Sequence, residues 1–344
     1  MSYIDKFSTN AHPYLIAELG INHNGKMSIA KKMIDVAKKR SADCVKFQHF
    51  YADELISVFA KKAPYQAKNK EFKNLSQQQI IKNCELGINN LKKLKLYCIK
   101  KKIDFLCTPF DLKSLKDLKK IGEKKIKVSS CNFNNKIFLE EAIKLGFQLL
   151  LSTGMADKKE VDEIVNFLKK KKSKFLLFQC TSDYPATNDM ANMRVLNYYK
   201  KFKVPLGYSD HTKGNVSAIG SIFLGCKVVE KHFTLDKKMS GIDQKASIDA
   251  HELYNLKNDL VDAWKSLGKS EKKISNRIMK NRLIMCKSLV AKKEIKKNEK
   301  LTYDNMCFKR PGTGIPSKYF EKYIGRRARK TIKNDKLILK RDLI

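Results

Sequence analysis

The chain has 344 residues, of which 42% are hydrophobic, 9% aromatic and 31% charged. That length allows two domains, and that composition excludes disorder as the main state. The N-terminal MSYIDKFSTNAHPYLIAELG has no basic segment followed by an apolar stretch, and no window approaches ~18 uninterrupted apolar residues, so a soluble cytoplasmic protein without a membrane partner is expected. The formal net charge of +37 raises the question of a polyanion partner. Only nine of the 72 basic residues are Arg, the side chain suited to bidentate reading of phosphates and bases, and the lysines are scattered in twos and threes. A solvated basic surface with no specific nucleic acid is the expectation. The nine cysteines include no C-x-x-C pair, which fits neither a zinc ribbon nor a disulfide framework and agrees with a reducing compartment.

In chain order, eight short apolar runs read as strands: PYLIAE (13–18), DCVKFQ (43–48), DFLCTPF (104–110), KIKVSS (125–130), QLLLST (148–153), FLLFQC (175–180), VPLGYS (204–209) and KVVEKH (227–232). Amphipathic stretches such as 27–40, 91–102 and 159–171 separate them. Near-continuous apolar strands alternating with helices predict a parallel sheet covered on both faces, and eight such units match a (β/α)8 TIM barrel over residues 1–267. A doubly wound open sheet is the competitor, but no glycine-rich phosphate loop follows any of the runs. Residues 268–286 are polar, rich in Ser and Lys, and expected to be a linker. From 287 to 344 the texture becomes short β-like pieces with turn signals at Lys297-Asn298, Pro311-Gly312 and Asn334-Asp335, predicting a small β-rich domain.

In a TIM barrel the chemistry sits where the strands end. The strand ends here carry Glu18 with Asn22, His23 and Asn24; Lys46 and Gln48; Thr108 and Phe110; Lys127, Ser130 and Asn132; Ser152 and Thr153; Gln179 to Tyr184, including Ser182; Ser209 to Thr212, including His211; and Glu230 and His232. His211 and His232 are 21 residues apart, about one βα unit, which would bring two imidazoles together near the acids Asp210, Glu230 and Asp243. Two neutral imidazoles with water or a carboxylate suit a divalent metal, with hydrogen-bonded core histidines as the other reading. Lys46 and Lys127, with the hydroxyls of Thr108, Ser130, Ser152 and Ser209, suit a phosphate or carboxylate anion. A Schiff-base lysine is the alternative use of such an amine, and it is redundant beside a metal. His12, His49 and His251 read as surface or packing residues.

The runs AELGINHNG, VKFQ, CTPFD, STGM, QCTSDYPA, GYSDHT, GCKVVEKHFTLD and SGIDQKASID, followed by KRPGTGI, span nearly the whole chain in order. On these motifs the sequence resembles the sialic acid synthases, the phosphoenolpyruvate-dependent nonulosonate synthases. The resemblance implies a TIM barrel followed by an antifreeze-like (SAF) domain supplied across a homodimer. It also implies condensation of phosphoenolpyruvate with an open-chain N-acylated hexosamine and release of phosphate. N-acetylmannosamine, giving N-acetylneuraminate, is the first expectation. Legionaminate or pseudaminate synthesis is the alternative, and a polyanion-binding protein on an inactive barrel is the reading from another class. By the same resemblance His211 and His232 would hold Mn²⁺, with Mg²⁺ or Co²⁺ as alternatives. Lys127, Thr108, Ser130, Ser152 and Ser209 would bind phosphoenolpyruvate with Lys46 close by. Glu18, Asp243 and Tyr184 would face the sugar or the reacting centre, Phe110 would line the site, and Ser182, Asn132 and Glu230 count among the substrate contacts. Arg310 would reach the N-acyl end of the sugar in the partner's barrel. Cys131-Asn132 and Gln244 depart from the family's usual residues, at the corner where the acceptor sugar would be read.

Overall fold

The computed structural model describes residues 3–7, 12–62, 72 and 74–344. Each of the eight expected runs is a strand: β1 (Tyr14–Gly20), β2 (Cys44–His49), β3 (Asp104–Pro109), β4 (Lys125–Val128), β5 (Gln148–Ser152), β6 (Phe175–Cys180), β7 (Leu206–Asp210) and β8 (Val228–His232). All paired neighbours are parallel, in the order β3-β2-β1-β8-β7-β6-β5-β4. The two ends of that order, β3 and β4, lie against each other, so the sheet closes into a barrel.

The two-residue period of a strand explains both the barrel's filling and its site. Leu15, Ala17 and Leu19 of β1 point outward into the main core, against helices such as Met27–Lys39, which buries Ala30, Met33, Ile34 and Ala37 at helical spacing. The alternate residues point inward. Ile16, Cys44, Leu106, Leu150, Leu176 and Val228 form an apolar interior layer, closed from below by Ile4 and Phe7 beside the turn Asp5–Phe7. Two residues further along the same strands stand Glu18, Lys46, Thr108, Ser152, Phe178 and Glu230, polar except on β6 and buried. The helices start where side chains satisfy their free N–H groups, through capping boxes at Asp111/Ser114, Asp157/Glu160 and Asp249/Glu252. Among the described residues no helix is long and apolar enough to cross a membrane.

The chain divides into two compact units, Met1–Gly268 and Lys269–Ile344. Within the second, β9 (Ser288–Ala291) pairs antiparallel with β10 (Met306–Lys309) over a core that includes Leu289, Ile295, Leu301, Ile332 and Ile338. The final β-like piece, 330–344, joins this core through single bridges, Ile295 to Ile332 and Val290 to Leu337, without forming a continuous strand. The span expected as a linker carries a ten-residue helix, Asn276–Met285, capped by the Ser275 side chain. None of its residues is buried: Ile278, Leu283, Ile284 and Met285 lie exposed. The absence of a one-sided apolar stripe hid this helix from the periodicity of the sequence.

Candidate active site

A cavity of about 1190 Å³ opens at the C-terminal ends of the barrel strands. Its floor is the polar layer just described. Register puts Glu18 beside both Lys46 on β2 and His232 on β8, and puts Ser209 beside Glu230. Lys46 Nζ lies 3.2 Å from Glu18 Oε2 and 3.5 Å from Glu230 Oε1, and donates to Thr108 Oγ1 at 3.0 Å. Lys127 Nζ donates to Glu230 Oε1 at 3.1 Å and sits 4.6 Å from the centre of the Phe178 ring. Ser209 Oγ donates to the same Glu230 oxygen at 2.9 Å, and Gln48 Nε2 to Glu18 Oε1 at 3.1 Å.

These charges shift one another in opposite directions. Burial pushes the Glu230 carboxyl up, but the ammoniums of Lys127 and Lys46 outweigh it and hold the group below the ordinary carboxylate range. For Glu18 burial prevails over Lys46 and the pKa rises. Burial lowers both lysines: Glu18 and Glu230 more than restore Lys46, whereas Lys127 stays below its usual value.

Beside this ion cluster the rings of His211 and His232 stand 5.6 Å apart, with Tyr184 packed 4.3 Å from the first and 5.7 Å from the second. Burial lowers His211 to about 4, and burial with the neighbouring His211 and Lys46 takes His232 well below its usual range, so both are neutral at pH 7. His211 Nδ1 is 2.6 Å from the Thr181 carbonyl, which makes Nδ1 the protonated nitrogen and Nε2 the acceptor, 3.4 Å from Ser209 Oγ. His232 Nδ1 is buried without a hydrogen bond, 3.7 Å from Asp243 Oδ2. Burial, then the charge of Glu18, raises Asp243 to about 7. Two neutral imidazoles with an orphaned nitrogen fit a divalent cation whose other positions belong to substrate or water. Among the described residues no group of three or more His, Cys, Asp or Glu side chains is gathered for a metal, so such a cation would rest on two protein ligands.

Of the strand-end candidates, Asn22, His23, Asn24, Thr153, Gln179, Thr181, Asp210 and Thr212 lie outside the cavity lining. Thr108, Phe110, Ser130, Ser152, Ser182 and Tyr184 line the cavity together with the charged and imidazole groups. Asn132 does not. The turn Ser130–Asn132 carries its side chain inward, where it donates to the Phe110 carbonyl at 3.0 Å, and Cys131 takes the place on the cavity wall. Gln244 is likewise structural: buried, it donates to the Asn22 carbonyl at 2.9 Å and bonds Thr234. Arg310 belongs to the second unit, exposed, its Nε donating to the Met285 carbonyl at 3.0 Å. His49 is a packing residue, 3.4 Å from Asp117, and exposed His12 lies 5.4 Å from the Trp264 ring. Three groups escaped the sequence reading. Gly154 lies where an added Cβ would stand 2.5 Å from Ser182 Oγ and 2.6 Å from Cys180 Sγ, and its N–H donates to Ser130 Oγ at 3.0 Å. Lys213 and Lys245 line the cavity, indistinguishable by type from the other lysines of this chain. Ile21 and Ile242 line it too, beyond the strand ends where only polar residues were sought.

A closed barrel with buried ammoniums, hydroxyls and two neutral imidazoles gathered at the C-terminal ends of its strands defines the class: a TIM-barrel protein with a polar cavity at its mouth. The model described as the NeuB family matches residues 33–272, and that of the SAF domain matches residues 287–344. The chain belongs to the NeuB family and ends in a SAF domain. It is 43% identical over 328 residues to an N,N'-diacetyllegionaminic acid synthase from Campylobacter jejuni, covering 94% of this chain and 98% of that protein. To the N-acetylneuraminate-9-phosphate synthase of Homo sapiens it is 31% identical over 335 residues, 95% of this chain and 92% of the other. Among solved structures, the N-acetylneuraminic acid synthetase of Leptospira borgpetersenii in complex with citrate superposes with a TM-score of 0.70 at 33% identity, over 79% of this chain and 90% of that one.

Proposed function

We propose that this protein is a nonulosonate synthase that joins phosphoenolpyruvate to an open-chain N-acylated hexosamine, and that its acceptor is of the diacetylated, legionaminate-forming type. The observation that carries the reaction is the floor of the cavity, where Lys46 and Lys127 lie buried among hydroxyls and within reach of two neutral imidazoles. Identity of 43% to the diacetyllegionaminic acid synthase, against 31% to the human N-acetylneuraminate-9-phosphate synthase, supports the diacetylated acceptor over the N-acetylmannosamine first expected.

In this reading Lys127 and Lys46 hold the phosphate and carboxylate of phosphoenolpyruvate, with Ser130, Ser152 and Ser209 donating to the remaining oxygens. The unpartnered Ser152 hydroxyl is available for that bond. His211 and His232 would hold a divalent ion, Mn²⁺ first, which when bound polarises a carbonyl oxygen. C3 of phosphoenolpyruvate forms the new bond to the sugar's aldehyde carbon, whose oxygen takes up a proton to become a hydroxyl. Water then adds at C2 with loss of a proton, and the resulting hemiketal phosphate breaks its C–O bond to release phosphate. Asp243, 3.7 Å from His232, and Glu18, 3.2 Å from Lys46, are in this reading the carboxyls that move these protons. The working species is a homodimer in which Arg310 of one copy meets the sugar in the other.

Phosphate release from phosphoenolpyruvate with a panel of N-acylated hexosamines, each with and without EDTA, tests this reading. Release that requires a 2,4-diacetamido acceptor and is lost in EDTA supports it. Equal release with N-acetylmannosamine removes the legionaminate assignment, and no release with any acceptor removes the whole.

A further inference from the structure

Asp210 and Lys231 form a buried ion pair that faces away from the cavity. Along β7 and β8 the inward residues Ser209, Glu230 and His232 line the cavity, so the residues between them point toward the helices. On that outer face Tyr208 and Val229 pair in register within the main apolar core. Two residues further along, Asp210 and Lys231 stand in register in their turn, 1% and 2% exposed. The Lys231 ammonium spends its three hydrogens on Asp210 Oδ2, on the Thr212 carbonyl at 2.9 Å and on the Gly214 carbonyl at 2.8 Å. Asp210 Oδ1 accepts from Thr212 twice, from its N–H at 2.9 Å and its hydroxyl at 2.8 Å. Residues 210, 212 and 214 are thus fastened from behind, while His211 and Lys213, which alternate with them, line the cavity. The same turn is tied to the segment after β6. Ala186 N–H donates to the His211 carbonyl at 2.9 Å, and the His211 ring donates to the Thr181 carbonyl and packs on Tyr184.

We propose that Lys231, acting through Asp210, is a positioning residue that locks the 210–214 turn and so aims the His211 imidazole and the Lys213 side chain into the site. Stability alone is a poor reason for such a pair. Burying two charges forfeits their hydration, and apolar residues of similar volume in the same place are often neutral or stabilising. The ion pair supplies what an apolar pair does not: five directed bonds that leave the backbone carrying the imidazole one geometry. Partners behind a metal-binding imidazole set its ring orientation and tautomer in the same way. The consequence for turnover rests on the synthase reading above, whereas the consequence for His211 itself does not.

The test compares the wild type with Lys231→Met and with the double variant Asp210→Asn, Lys231→Met. The double variant leaves no unpaired buried carboxylate and stands in if the single one fails to fold. Nitrogen NMR of histidine-labelled protein without metal reads the His211 tautomer, with His211→Ala assigning its signal. The wild type is expected to hold the proton on Nδ1, and both variants to show a mixture of tautomers. Titration calorimetry with Mn²⁺ alone should show affinity lower by roughly 10- to 100-fold, the usual cost of losing a partner behind a metal ligand. In phosphate-release assays kcat should fall by a similar factor, while KM for phosphoenolpyruvate, held on Lys46 and Lys127, changes little. A folded double variant with the wild-type tautomer and Mn²⁺ affinity overturns the proposal, as does a lowered melting temperature with kcat unchanged, which marks a purely structural pair. A mixed tautomer and weakened Mn²⁺ binding in the variants, when even the wild type releases no phosphate with any acceptor, keeps the positioning role and overturns the synthase reading instead.

Discussion

Burial lowers the pKa of Lys127, and among the described residues Glu230 is the one carboxylate paired with it, whereas Lys46 has two. A dianion bound beside it would add counter-charge that Glu230 alone does not provide. Lys127→Met is expected to raise KM for phosphoenolpyruvate about 10- to 100-fold, the equivalent of a charge-assisted bond of roughly 1.5–3 kcal/mol, with a much smaller effect on the acceptor's KM. Steady-state kinetics with each substrate varied in turn decides it, and a change confined to the sugar would move Lys127 to the other subsite. His232 yields a second prediction. With its Nδ1 buried and unbonded beside His211, removing the ring leaves a one-imidazole site. His232→Ala should therefore lose most activity and most Mn²⁺ affinity by titration calorimetry. Full turnover by this variant in metal-free buffer would end the metal assignment.

At the scale of the element, the strand's two-residue period ties stability and chemistry to the same chain segments. Leu176 and Leu150 pair in register in the apolar layer, below Ser152 and the ion cluster. Leu176→Ala is expected to cost about 2–5 kcal/mol of stability through the cavity it leaves, lowering the melting temperature by several degrees, with little change in kcat at 25 °C. An unaltered melting temperature with lost activity would mean that Leu176 supports the site and not the barrel. This period is also why so much was readable in advance. Apolar runs ending in polar residues located all eight strands and brought Glu18, Lys46, Lys127 and Glu230 to one mouth. Polar residues past the strand ends obey no such period: Asn132 sits in a 3-10 turn whose geometry decides its direction, so its spacing alone could not show that it faces Phe110. Ile21 and Ile242 went unread for the converse reason, because apolar residues past a strand end look in sequence like ordinary core residues.

For the molecule as a whole, the remaining question is what the second unit and its charge are for. Residues 287–344 carry 18 basic and six acidic side chains, a higher positive density than the barrel unit, and their core of ten buried hydrophobic residues is small. A module of this size is marginal alone and gains stability from docking. Beside it the helix Asn276–Met285 leaves Ile278, Leu283, Ile284 and Met285 exposed, an apolar surface that a homodimer would cover. If Arg310 completes the site of the other copy, two inactive proteins should rescue each other. His211→Ala and Arg310→Ala are mixed under conditions that allow subunit exchange. A statistical mixture contains half heterodimers, and each heterodimer has one site with both residues intact, so activity should recover to about a quarter of the wild-type value. If each Arg310 serves its own barrel, every site keeps one lesion and mixing restores nothing. A monomeric mass by light scattering at assay concentration would overturn the dimer independently of either variant.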